Sequence, residues 1–113
     1  MKIRGEWFWV DRWMGSSARG LPLEARGLYR EMLSQAWLRG CQLPNDHSIL
    51  RRFVAATEDE WRRAWPLVEQ YWRVEGDVLV NDTQREIYDK SMATVARLTA
   101  AGKKASAARW GKR

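Results

Sequence analysis

The chain has 113 residues, 45% of them hydrophobic and 30% charged, which leaves room for one core and matches a folded domain rather than a disordered chain. No apolar run approaches the ~20 residues of a membrane span. The opening Met1 to Glu6 lacks the apolar stretch of a secretory signal, and the one cysteine, Cys41, has no internal partner for a disulfide. A cytoplasmic protein is therefore expected. The formal charge of +6 is unevenly placed: Met1 to Ala96 holds 14 bases and 14 acids, and the whole excess comes from Arg97, Lys103, Lys104, Arg109, Lys112 and Arg113. A basic tail on a neutral body points to a polyanion, with nucleic acid first and an acidic membrane surface second.

In chain order, Trp7-Phe8-Trp9-Val10 reads as a short strand or extended arm, since aromatic and β-branched residues favour that geometry. Gly15-Ser16-Ser17 and Gly20 then predict a loop. A first helix is predicted from about Pro22, a residue suited to a first turn, to Leu38. Its inward stripe is Ala25, Leu28, Tyr29, Met32, Leu33 and Ala36, and Gly40 can take the left-handed conformation that ends it.

Cys41 to Pro44 reads as a brief extended link. Asn45 or Asp46 caps a second helix reaching about Ala55, with Ile49, Leu50, Phe53 and Val54 inward and Arg51 and Arg52 outward. Thr57-Glu58-Asp59-Glu60 has the spacing of a capping box. It opens a third helix with the stripe Trp61, Ala64, Trp65, Val68, Tyr71 and Trp72, in which Pro66 predicts a kink. Arg73 to Val80 reads as two strands joined at Gly76-Asp77. Asp82 or Thr83 then caps a fourth helix, expected to end by Gly102, with Ile87, Met92, Val95 and Leu98 at helical intervals. Residues 102–113 are expected to form a flexible basic tail behind a domain spanning 1–101.

Helix, short strand, helix, helix and hairpin is the connectivity of a winged helix-turn-helix, mainly α with a small β-hairpin. The turn Ala55-Ala56-Thr57 has a length that such motifs use. The run from Trp7 to Tyr88 resembles the YdaU-like family of phage and prophage proteins. The residues that carry the resemblance are Trp7-Phe8-Trp9-Val10-Asp11, Leu23-Glu24-Ala25-Arg26-Gly27-Leu28-Tyr29, Trp37, Leu43-Pro44-Asn45-Asp46, Trp61-Arg62-Arg63 and Pro66. The ending Ala101-Gly102-Lys103-Lys104-Ala105-Ser106-Ala107-Ala108-Arg109-Trp110 is similar to tails that follow this domain. The resemblance implies an association with phage DNA replication, in which such proteins are candidate initiation factors.

The bases of the tail favour a phosphate backbone through counterion release, and Trp110 offers a ring for an exposed base. On the body, Arg51, Arg52, Arg62 and Arg63 are the candidate DNA contacts. The third helix would be the reading helix of a winged helix. From Thr57 to Trp72, however, it carries Glu58, Asp59, Glu60 and Glu69 against Arg62 and Arg63. Capping accounts for part of that acidity.

A second reading is a protein-interaction module, acting on a replication partner or a host defence factor. Its contact surface would be Trp7, Trp9 and Trp13 or the acidic third helix. Most tryptophans recur at helical spacing and are expected in the core. His47 and Cys41 are each alone of their kind, so metal ligation and nucleophilic catalysis lack their usual constellations, and no glycine loop suited to phosphate occurs. No enzyme activity, metal or cofactor is expected.

Overall fold

The computed structural model describes residues 13–110, with side chains described through residue 104. Among these the protein is mainly helical, with a small three-stranded antiparallel sheet. The predicted strand at Trp7 to Val10 lies outside the described residues. Where a loop is expected at 15–20, Ser16 accepts a bond from the Ala18 amide at 3.1 Å and caps a 3-10 turn, Ser17–Gly20. Two residues of local side-chain bonding convert the loop into a turn.

Helix α1, Leu23–Leu38, starts immediately after Pro22 and buries its expected stripe together with Trp37. It is the centre of the core. Gly40 and Cys41 both take positive φ, 75° and 64°, and the Cys41 amide bonds back to the Ala36 carbonyl at 2.8 Å. The chain thus reverses tightly into β1, Leu43–Pro44. Cys41 is buried against Trp37 and Ile87.

Helix α2, His47–Phe53, is capped by Asp46, whose carboxylate accepts from the Ser48 and Ile49 amides at 2.9 and 3.2 Å. These bonds, the Ser48 hydroxyl foremost, hold the Asp46 carboxyl below its ordinary pKa. Leu50 is fully buried, whereas Ile49, Phe53 and Val54 are half-buried. The Arg39 guanidinium lies over the Phe53 ring at 3.8 Å and covers part of it.

Helix α3, Glu58–Val68, opens on the complete capping box: the Glu60 amide donates to Thr57 Oγ1 at 3.1 Å and the Thr57 amide to Glu60 Oε1 at 2.8 Å. Its face of Trp61, Ala64, Trp65 and Val68 is buried on α1. Pro66 sits in the last turn, where its missing N–H leaves the Arg62 carbonyl without an intrahelical donor. The helix runs two residues further and tightens into a 3-10 turn, Glu69–Tyr71.

Strands β2, Arg73–Glu75, and β3, Val78–Val80, form the expected hairpin, with Gly76 at φ 61° in the turn. A positive φ at the first turn position is what glycine supplies without steric cost. The sheet order is β1-β3-β2: Leu43 pairs with Leu79 and Val74 with Leu79 on the other side. The link after α1 is therefore a third strand, held by a partner more than thirty residues away in sequence.

Helix α4 spans Asp82–Trp110. Its cap is Asn81, one residue before the expected pair. Asn81 is buried, accepts from the Gln84 amide at 2.9 Å, and donates to the Tyr29 hydroxyl at 2.9 Å and the Tyr71 carbonyl at 3.1 Å. Gln84 donates to the Leu33 carbonyl at 2.6 Å. These bonds seat the first turns of α4 on α1, and Ile87 and Tyr88 continue the contact, with Tyr88 edge-on to Trp37 at 5.0 Å.

The expected end at Gly102 is not a helix end; the helix continues to Trp110. Seven alanines between Ala93 and Ala108 account for this, since alanine has the best helix propensity and one glycine costs only about 1 kcal/mol. The radius of gyration, 18.1 Å, exceeds the ~13 Å of a compact chain this long.

Candidate nucleic-acid interface

Two regions carry the cations singled out in the sequence. The first is the angle between α2 and α3. His47, at the start of α2, meets the rings of Trp61 and Trp65 edge-on, at 5.4 and 5.2 Å between centroids. The two indoles stack on each other at 5.1 Å and 7°. Trp61 Nε1 donates to His47 Nδ1 at 3.4 Å, which assigns the imidazole proton to Nε2 when the ring is neutral. Beside this cluster runs an open groove of about 450 Å³, lined by Ser48, Arg51, Glu58 and Arg62 as well as by the aromatic rings. Its floor is apolar and its rim bears two guanidinium groups and one carboxylate.

The four arginines of the body do not act as one patch. Arg51 and Arg62 line the groove, and Arg51 and Arg52 line a second depression beside Ala55 and Ala56. Arg62 pairs with Asp59 at 2.9 Å across one turn of α3. Arg63 faces away from the groove and is bound to Glu24 of α1 at 3.1 Å. Arg51 is not simply outward as its position in the sequence suggests: it is half-buried, and its Nε is enclosed without a hydrogen-bond partner. Ala55, next to this depression, has φ 53°, a strained conformation for a residue with a Cβ.

The acids of α3 have local employment. Glu60 holds the Thr57 amide, a bond that lowers its pKa below the usual value, and Asp59 holds Arg62. Glu58 lies on the groove rim. Near the hairpin, Arg73 bridges Glu75 and Asp82 at 3.0 and 2.9 Å. Its bonds to Asp82 lower that carboxyl's pKa and raise its own. Glu75 and Asp82 are thus paired with Arg73, and Glu75 also with Arg85 at 3.4 Å.

The second region is the distal part of α4. Residues 96–98 and 100–104 are exposed, among them Arg97, Lys103 and Lys104. Leu98 is 63% exposed. Asp89 is the last acid of the chain. The backbone of Arg109 lies within the same helix, while Lys112 and Arg113 lie outside the described residues. From Asp89 to Trp110 the helix advances about 32 Å at 1.5 Å per residue.

Trp13 is half-buried rather than free for a partner: it stacks on Tyr29 at 6.1 Å, and the Arg30 guanidinium lies 5.7 Å from its ring centre. Trp7 and Trp9 lie outside the described residues. The His47–Trp61–Trp65 cluster is the feature that sequence reading misses. Trp61 and Trp65 stand at helical spacing, which predicts burial, but a histidine fourteen positions earlier carries no signal of touching them. Among the described residues no group of three or more His, Cys, Asp or Glu side chains is arranged to hold a metal ion. None of their helices is long and apolar enough to cross a membrane.

Fold and site together define a small helical domain with a three-stranded sheet and a basic helical extension. Residues 8–89 match the family described as a protein of unknown function, DUF1376, and the chain belongs to that family. The match ends at Asp89, so the basic extension follows the matched region. No curated protein and no solved structure matches the chain.

Proposed function

We propose that the protein is a DNA-binding accessory protein of phage type, acting in replication initiation or its regulation, with a winged-helix body. The observation that carries this reading is the distal half of α4, which holds exposed bases and no acid after Asp89. A polyanion placed along it releases counterions from each phosphate that a base neutralises. The winged-helix reading is supported by the order of the elements and by β1, which lies between α1 and α2 in sequence and pairs with the hairpin strand β3. Resemblance to the YdaU-like proteins supports the phage and replication context, and with it a cytoplasmic site of action.

In this reading α4 supplies most of the affinity, which is largely independent of DNA sequence. Arg51, Arg52 and Arg62 add contacts from the body. Arg63, tied to Glu24, contributes least of the four. No reaction is assigned: the protein positions DNA or a partner and uses no cofactor. The test is replacement of Lys103, Lys104, Arg109, Lys112 and Arg113 by Gln in the full chain. Binding to any duplex should weaken, and the slope of log affinity against log salt should flatten by up to about 4.5. Unchanged affinity and slope would remove α4 as the DNA contact.

A second reading has one specific observation in its favour. Glu58, Asp59 and Glu60 are exposed at the N-terminal end of α3, where a DNA-reading helix presents its base-contacting residues. Under that reading the domain docks a protein, either a replication partner or a host defence factor, through α3 and the aromatic N-terminal residues.

A further inference from the structure

Three bases on α4 lie seven residues apart: Lys90, Arg97 and Lys104. A seven-residue step rotates a side chain by only about 20° around an α-helix, so the three point the same way along about 21 Å of helix. All three are exposed. Gln84, Ile87 and Ser91, which are buried, stand about 60–120° around the helix from Lys90, and their line continues through Leu98 and Gly102. The bases therefore stand on a different side of the helix from the residues that it buries. Their flanks on the same side are Ala93, Ala100 and Ala101, whose methyl groups leave a partner free to approach the three long side chains.

We infer that Lys90, Arg97 and Lys104 form a rail that tracks one phosphate backbone of duplex DNA. The inference rests on the proposed DNA-binding function and names the side of α4 that performs it. A charged helix could equally meet an anionic lipid surface, but in-plane membrane binding needs an apolar face behind the charges. Behind this rail stand Met92 and Val95, both already half-buried in the fold, so that Leu98 is the one large exposed apolar residue between Ser91 and Lys104, with Thr99 and Gly102 beside it. Duplex DNA needs only the row of charges. Lys90 also bonds Glu86 at 3.0 Å, an exposed pair of little strength that yields readily to a phosphate.

The experiment separates charge position from charge number. In the full chain, Arg97→Ala and Lys104→Ala are combined with Leu98→Lys and Gly102→Lys. This keeps the net charge and moves two cations about 100° and 160° around the helix. A side chain at Gly102 meets no atom within 4 Å, and lysine favours helix over glycine there. A second variant, R97Q/K104Q, removes the same two charges without relocating them. Duplex binding is measured across a salt series, with phosphatidylglycerol vesicles as a parallel probe and circular dichroism to confirm helix content.

The rail requires both variants to flatten the salt slope by about 1.8, and each to bind on the order of a hundredfold more weakly at about 50 mM salt. If R97Q/K104Q loses affinity while the relocated variant keeps wild-type affinity and slope, the rail is wrong and the DNA-binding function stands. If the unaltered chain binds no duplex at low salt, the function itself fails. Tighter binding to vesicles than to duplex would also overturn the rail, in favour of a lipid surface.

Discussion

The body and the distal part of α4 are both helical, yet they are helical for different reasons. In the body, α1 and α3 are held by what they bury. Met32, Leu50 and Val68 are fully enclosed, and Trp61 and Trp65 are 6% and 8% exposed. Charge there is balanced and locally paired, as with Arg63 and Glu24 or Arg73 and Asp82. Beyond Ser91, α4 only half-buries Met92, Thr94, Val95 and Thr99, and residues 100–104 are all exposed, so alanine propensity carries the helix there. There the positive charges lack acids of their own. Removing core contacts should therefore damage one region and leave the other untouched, while removing charge should do the reverse.

The largest effect expected from that contrast is at Trp65. Trp65→Ala should cost about 3–5 kcal/mol in urea unfolding, the range for truncating a buried tryptophan. Leu98→Ala, on the exposed stretch, should stay within about 0.5 kcal/mol. Equal costs would erase the distinction between packed body and unpacked extension. Asn81 anchors the start of α4 to the body. Asn81→Ala leaves the Gln84 amide without its cap and the Tyr29 hydroxyl without its donor, and should cost about 1–3 kcal/mol. Burial raises the Tyr29 pKa above its ordinary value, and the Asn81 hydrogen bond opposes that shift. The variant should consequently titrate Tyr29 higher still, which ultraviolet absorbance in alkali can follow.

A smaller gain is expected at the turn between α2 and α3. Ala55 holds φ 53°, so Ala55→Gly should stabilise the body by up to about 1 kcal/mol in the same urea assay. A loss there would mean that the backbone entropy of glycine outweighs the strain.

The smallest effect is electrostatic. Asp46, Glu60 and Asp82 all have pKa values below their ordinary ones, from the Ser48 hydroxyl, the Thr57 amide and Arg73 respectively. A depressed folded-state pKa gives stability that is present above the unfolded value and is lost as pH falls through the folded one. The melting temperature should hold steady from pH 7 to about 5 and decline below about pH 4. Glu60→Gln should shrink the decline, since its share of the depressed titration is gone.

How far each region was legible follows from the range of the forces involved. The capping box at Thr57 and Glu60, the Asp46 cap and the Gly76 turn are set within four residues, and the spacing of side chains reveals them. The stripe of α1 is legible because burial on one face imposes helical periodicity. By contrast, the pairing of the short strand Leu43–Pro44 with Leu79 and Val78 is non-local, and His47 finds Trp61 and Trp65 only once α2 and α3 are folded together. Asn81 outcompetes Asp82 and Thr83 as the cap through non-local bonds to Tyr29 and Tyr71, which local spacing does not carry. α4 continues through Gly102 because the alanines on either side outweigh one glycine, a balance that a lone glycine conceals. The tail's bases were visible as a count, but the alignment of Lys90, Arg97 and Lys104 emerges only when the segment is helical.

The central claim is that a basic helical extension on a charge-neutral body binds DNA through its backbone. Its most direct test is a titration of the intact chain with two duplexes of unrelated sequence across a salt series. The account requires similar affinities for both, with a slope of log affinity against log salt of about −5 when the six bases past Ala96 are engaged, steeper where Lys90 and the body arginines add contacts. Absence of binding to either duplex at low salt would contradict it and leave the protein-docking reading in its place.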